Sequence, residues 1–257
     1  MQVRVENIPE ALKHYDQWIH WRKGRKKKNR KFDKVPYDPR IASNIDHLNP
    51  ANQLSFEECW DIYTQYKKEV AGIGFVFMPE DPFTGIDLDE CLENRRLERA
   101  QQAVADKLNS YSEISPSGKG VKIFVKGKLP GPNQSSDPEM YSSKRFFTVT
   151  GHVLNGDQLE VEPRQKQLEL VYYQHYPMEH PQFGELFRQC YLMKFILEKS
   201  RAGVNLRHSL RRALASFSNA QSELETENMP FITLMLSGCP DYDPEVTRKQ
   251  IKSCLLY

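Results

Sequence analysis

Over the first 155 positions, apolar residues recur mostly with a period of two and are broken by turn residues, a pattern that predicts β-strands. Gly72–Phe77 (GIGFVF) reads as a buried strand, and residues 85–89 (GIDLD) read as another after the turn at Pro82. Further strands are expected at 123–126 and at 145–150 (RFFTVT), with 152–154 continuing the last one beyond Gly151. Two stretches switch to helical spacing. Residues 55–68 set Phe56, Cys59, Trp60, Tyr63 and Tyr66 on one stripe behind a Ser55/Glu58 capping box, and such an aromatic stripe reads as core. Residues 95–111 set Leu97, Ala100, Val104, Leu108 and Tyr111 on one face with charges opposite. Strands mixed with helices, without a regular βαβ rhythm, predict an α+β domain.

The pattern changes after about residue 160. A helix at Gln165–His175 lies between prolines, and from Phe183 onward no strand pattern remains. Residues 183–199, 206–218, 231–236 and 244–256 read as helices separated by Gly, Asn and Pro signals. The expected organisation is a catalytic domain at 1–160, a linker with a helix at 161–180, and a small all-α bundle at 181–257.

Composition narrows the class. Hydrophobic residues make up 39% of the 257 and charged residues 27%, which fits a soluble globular protein with a sizeable core. No apolar run approaches the roughly 20 residues a membrane helix needs, and residues 1–10 lack the apolar stretch of a secretion signal. Five cysteines (Cys59, Cys91, Cys190, Cys239 and Cys254) are scattered without metal-ligand spacing, so free thiols in a reducing cytoplasm are expected. The net charge of +2 says nothing about partners, but its distribution does: residues 22–31 (RKGRKKKNRK) hold eight bases and no acid. Such a run is either a solvated loop or a set of phosphate contacts, with Arg25, Lys26, Lys27, Lys28, Arg30 and Lys31 as candidates for binding DNA.

Three motifs carry candidate chemistry. Asp87 and Asp89 are two apart on an expected strand and would project to one face, with Ile86 and Leu88 behind them. Paired carboxylates in an apolar setting repel and lose hydration, a penalty that hard divalent cations offset. Two cations clamped in this way serve in-line phosphoryl or nucleotidyl transfer. Second, residues 115–122 (SPSGKGVK) offer Ser115, Ser117 and Gly118 as donors and Lys119 and Lys122 as charges for a triphosphate. The stretch departs from a Walker loop, because Lys119 is followed by Gly120 and a strand. Third, Glu139 could add a carboxylate, Arg145 a bidentate phosphate contact, and His152 follows the RFFTVTG run. Singly, each has an ordinary reading: strand-end acids, a Gly/Ser hairpin turn, a surface ion pair, a structural histidine.

Their order resembles the archaeo-eukaryotic primase superfamily, in particular its small primase-polymerases from phages and mobile elements. The resemblance rests on the Asp87/Asp89 pair, then SPSGKGVKIF at residues 115–124, then Glu139 with RFFTVTG at 145–151. It is joined by Gln17, Trp18, Trp21 and the stretch Lys34-Val35-Pro36-Tyr37-Asp38-Pro39, and it covers roughly residues 10–155. It implies a catalytic fold related to the RNA-recognition motif, Mg²⁺ or Mn²⁺ held by Asp87, Asp89 and Glu139, and nucleoside triphosphates held by Ser115, Ser117, Gly118, Lys119, Lys122, Arg145 and His152. The implied template is single-stranded DNA. Lys122 stands where such proteins usually have a histidine, a departure bearing on efficiency and nucleotide preference. The helical tail, with Arg201, Arg207, Arg211 and Arg212, is similar to accessory domains that assist initiation, although a structural role fits equally. With no helicase ATPase motif, strand separation is expected from a separate helicase or replication protein, or from further chain.

Two alternatives stay open. A toprim-like nuclease also uses D-x-D and a glutamate, but there the glutamate precedes the pair. A non-catalytic DNA-binding replication protein that keeps the fold would bind DNA and make no product.

Overall fold

A computed structural model describes residues 2–26, 32–94, 96–136, 138–154, 158–176 and 179. The chain divides into two compact units, Met1–Val171 and Tyr172–Tyr257, and the architecture below is that of the first. The expected helices between 183 and 256 lie outside the described residues. The elements run α1 (Glu10–Lys13), β1 (Trp18–Lys26), β2 (Phe32–Asp38), β3 (Ser43–Asn44), α2 (Phe56–Gln65), β4 (Gly72–Phe77) and β5 (Phe83–Leu88). They continue with β6 (Leu92–Glu93), β7 (Arg96–Leu97), α3 (Arg99–Leu108), β8 (Ser112–Ile114), β9 (Val121–Lys126), β10 (Glu139–Tyr141), β11 (Arg145–Val149) and α4 (Gln165–His175).

Mixed α/β with antiparallel sheets is the architecture. One sheet has the order β11-β4-β1-β2-β3 and a second the order β10-β5-β9-β8, while β6 and β7 form a small ribbon. The order in the second sheet follows from β5 pairing antiparallel with both β9 and β10, and β9 with β8.

Aromatic rings join the two sheets. Phe77 and Phe147 of the first meet Phe124 and Tyr141 of the second, with ring centroids 5.7 to 6.2 Å apart. Gly85 makes this approach possible. A Cβ there would collide with the Phe147 ring and lie 2.6 Å from Phe77. Those rings are wedged by Phe124 and by each other, so they have little room to turn away. Gly85→Ala is therefore expected to destabilise the protein by about 1–3 kcal/mol through overpacking. A denaturant midpoint unchanged from wild type would show that the sheets are not clamped here.

The local signals account for most boundaries. The Ser55 hydroxyl accepts from the Glu58 N–H at 3.2 Å, and α2 buries Phe56, Cys59, Ile62 and Tyr63 as its pattern requires. The helix expected at 95–111 is shorter, because Asn109 adopts φ +37° and ends α3 before Tyr111. Residues 152–154 do not continue β11: Gly151 turns at φ +66°, leaving Val153 an isolated bridge to Glu113. The pairing of β1 with β2 was not visible as alternation. Trp18, Ile19, His20 and Trp21 are all buried, and the strand then runs into the basic stretch. Among the described residues, no helix is long and apolar enough to cross a membrane.

Candidate active site

Register across the second sheet assembles a row of charged side chains. Glu139 on β10 pairs with Asp87 on β5, Asp87 pairs with Lys122 on β9, and Lys122 pairs with Glu113 on β8. Directly paired residues share a face. The row therefore continues the same face that carries Gly85, Phe124 and Tyr141, one step beyond the aromatic seam. A cavity of about 530 Å³ opens there, lined by Asp87, Asp89, Lys122, Glu139 and Arg145, with Lys34 opposite.

Asp87 is the most constrained member. One carboxylate oxygen pairs with the Lys122 ammonium, while Oδ1 is buried and finds no hydrogen-bond donor among the described residues. Burial works to raise its pKa. The charge and hydrogen bond of Lys122, followed by Lys34 and Arg145, outweigh that and hold the carboxyl below its ordinary value. Lys122 is only 2% exposed, and its ammonium lies 4.0 Å from the Phe147 ring centroid.

Asp89 is not on the strand as expected. The pleat ends at Leu88, and Asp89 opens an exposed turn in which Glu90 takes φ +48°. It still lines the same cavity as Asp87. Glu139 accepts from the Tyr141 hydroxyl at 2.9 Å and from Arg145 at 3.4 Å. Arg145 belongs to the other sheet, and the short connection at 142–144 brings it across from β10. Its guanidinium stands 4.7 Å from the Tyr141 ring centroid.

A second cavity of about 290 Å³ shares Phe32, Lys34 and Asp89 with the first and adds Ser115, Ser117 and Lys119. The turn is self-bonded: Ser115 Oγ lies 3.0 Å from Ser117 Oγ and accepts from the Gly120 N–H, while Ser117 Oγ accepts from the Lys119 N–H. Gly118 takes φ +76°, which lets the chain reverse within four residues. Gly118 shapes the turn without lining either cavity. His152 lines neither cavity; its Nε2 meets the Gln2 carbonyl at 2.8 Å. Arg25 and Lys26 sit on the exposed end of β1, and Lys27, Lys28, Arg30 and Lys31 lie outside the described residues.

Sequence patterns had given no site role to four contributors, although Lys34 opens one of the stretches that carry the resemblance. Lys34 lines both cavities, and the loss of hydration there, with the Lys122 charge behind it, lowers its pKa to about 8 against the pull of Asp87 and Asp89. By surface area the residue remains exposed, so confinement in the cleft rather than full burial lies behind that shift. His47 meets Phe146 edge-on at 5.4 Å, and burial lowers its imidazole pKa. Phe32 stands at the mouth. Glu113, fully buried, accepts from the Thr150 and Gly151 N–H groups and from the Tyr111 hydroxyl. Of the four, Lys34 had a signal in the sequence, its place at the head of the stretch Lys34-Val35-Pro36-Tyr37-Asp38-Pro39.

The donor set fits a hard divalent cation in part. Asp87 Oδ1 is a buried oxygen without a donor among the described residues, and Asp89 supplies a second carboxylate in the same cavity. Among the described residues, however, no three His, Cys, Asp or Glu side chains already form a cation cage. Glu139 would have to exchange Arg145 to join.

No protein-family model matches the chain. In sequence it is similar to a DNA primase-polymerase from Nitratiruptor phage NrS-1, with 36% identity over 164 residues. The match covers 59% of this chain, and the chain spans 22% of that relative's length.

Proposed function

We propose that this chain carries the nucleotidyl-transfer site of a DNA primase-polymerase, acting on single-stranded DNA template and nucleoside triphosphates. The observation that carries the reading is that Asp87, whose buried Oδ1 has no donor among the described residues, lines a cleft with Asp89, next to a Ser/Gly/Lys turn. The second sheet supports it as well. Numbered in chain order, its strands run 4-1-3-2 with a helix after the first, the split arrangement of an RNA-recognition-motif sheet lacking its second helix.

In this reading Asp87, Asp89 and Glu139 hold Mg²⁺ or Mn²⁺. A cation bound there would supply Lewis-acid stabilisation of phosphate charge. The protein's own groups do the rest. Lys122 fixes the Asp87 carboxylate in one orientation. Ser115, Ser117 and Lys119 face Lys34 across the second cavity, and together they form a cradle for a triphosphate. Arg145, half exposed, can leave Glu139 for a phosphate oxygen.

One observation favours the alternative of a non-catalytic DNA-binding protein: Asp87 is already neutralised by Lys122, and Glu139 by Arg145. The readings separate in one assay. With Mn²⁺ and a single-stranded template, deoxynucleotides and ribonucleotides supplied separately, labelled product is expected with at least one set. A chain that shifts the template in a gel but makes no product with either would be the binding protein instead.

A further inference from the structure

Phe32, the first residue of β2, is 45% exposed; it pairs with β1, while the pairing of β2 with β3 is confined to Tyr37 and Asp38. Its position is specific, because it lines both cavities and so marks the seam between the carboxylate cleft and the Ser115 turn. Lys26 is directly opposite it across the β1–β2 ladder, and Lys23 is opposite Lys34. The ammonium groups of Lys23 and Lys26 lie 5.6 and 5.8 Å from the Phe32 ring centroid. A lone exposed apolar side chain is ordinary on a protein surface; what distinguishes this ring from the exposed Ile41 and Leu159 is its place at two polar cavities between two ammonium groups.

From this we infer that Phe32 is a stacking platform for a base of the single-stranded strand entering the cleft, with Lys23 and Lys26 holding the adjoining phosphates. The inference rests on the nucleic-acid reading above and adds the place where the strand is gripped. A ring flanked by cations meets both needs of an unpaired strand: every base has a π-face, and every phosphate a charge. The site tolerates any sequence, since stacking reads no hydrogen-bonding edge.

Stacking and charge separate by their response to salt. Binding of a fluorescent single-stranded oligonucleotide to the full chain is measured without nucleotide or metal, across a salt series, for wild type, Phe32→Leu, Phe32→Trp and a Lys23→Ala/Lys26→Ala double variant. Phe32→Leu is expected to weaken binding about tenfold with an unchanged salt slope. Phe32→Trp should bind at least as tightly as wild type. The lysine variant should instead flatten the slope by roughly 0.7 for each phosphate it no longer neutralises. Wild-type affinity in Phe32→Leu would overturn the inference while leaving the proposed activity intact. In that case a raised KM for nucleotide, read separately in the incorporation assay, would assign the ring to the incoming base instead. A wild-type chain that does not bind single strands at all would sink both the inference and the function.

Discussion

Asp89→Ala is expected to lower nucleotide incorporation at least a thousandfold while leaving the fold intact. Asp89 sits in an exposed turn beyond β5, and surface substitutions of that kind usually change stability by no more than about 0.5 kcal/mol. If it shares a cation with Asp87, its removal takes away a ligand at the point where phosphate charge must be stabilised, which commonly accounts for several kcal/mol of barrier. Asp87 calls for a gentler change. Asp87→Ala would strand the ammonium of Lys122, 2% exposed, without its partner, and breaking a buried pair costs about 3–5 kcal/mol. Asp87→Asn leaves a carbonyl oxygen to accept from Lys122 and removes only the charge. Mn²⁺ titration followed by electron paramagnetic resonance gives a second readout, with weaker binding expected in both variants. A folded Asp89→Ala chain that incorporates nucleotide at the wild-type rate would remove the carboxylate pair from the chemistry.

Glu113→Ala is expected to be the most damaging single change to stability. The side chain is fully buried and accepts at 2.8 to 3.0 Å from Tyr111, Thr150 and Gly151, thereby tying the end of β11 to β8. Three buried donors would lose their acceptor, each at about 1–3 kcal/mol, so a loss of at least about 3 kcal/mol should appear as a lower denaturant midpoint. The effect should also depend on pH. Burial pushes the carboxyl up to about 7, although the Gly151, Tyr111 and Thr150 donors and the Lys122 charge oppose it. In the unfolded chain the proton leaves near 4.5, so between these values the folded state binds more protons. Stability from this group therefore falls as pH rises from about 4.5 to about 7 and is level above that. The total is on the order of 3 kcal/mol at about 1.4 kcal/mol per pH unit. The gap between wild type and Glu113→Ala should widen as pH drops from 7 to 5. Parallel stability curves for the two proteins would show that the carboxyl keeps its ordinary affinity for protons.

Both predictions depend on neighbours that are distant along the chain. Asp87 meets Lys122 through the β5–β9 register, and Glu113 meets Gly151 through a turn that sequence periodicity had read as more strand. The expectation that Lys122 would face a phosphate came from its position in a Gly/Ser turn. In the fold that residue lies inside a strand, two positions past Gly120, with its ammonium against Asp87 and Phe147.

What the amino-acid sequence determined by itself was local. It set the strands around Phe75, Ile86 and Phe147, the N-cap of α2, the Gly118 turn, and the residue types able to hold cations and phosphates. These follow from backbone preferences and from alternation over a few residues, which act wherever the segment lies. Tertiary structure alone decided which charges meet: that Glu139, Asp87, Lys122 and Glu113 form one row, that Lys34 and Phe32 line the cavity beside Asp87 and Lys122, and that Asp89 falls just past the pleat. Register is chosen by packing Phe77 and Phe147 over Gly85. That choice is a property of two sheets fitting together, and no single segment carries it.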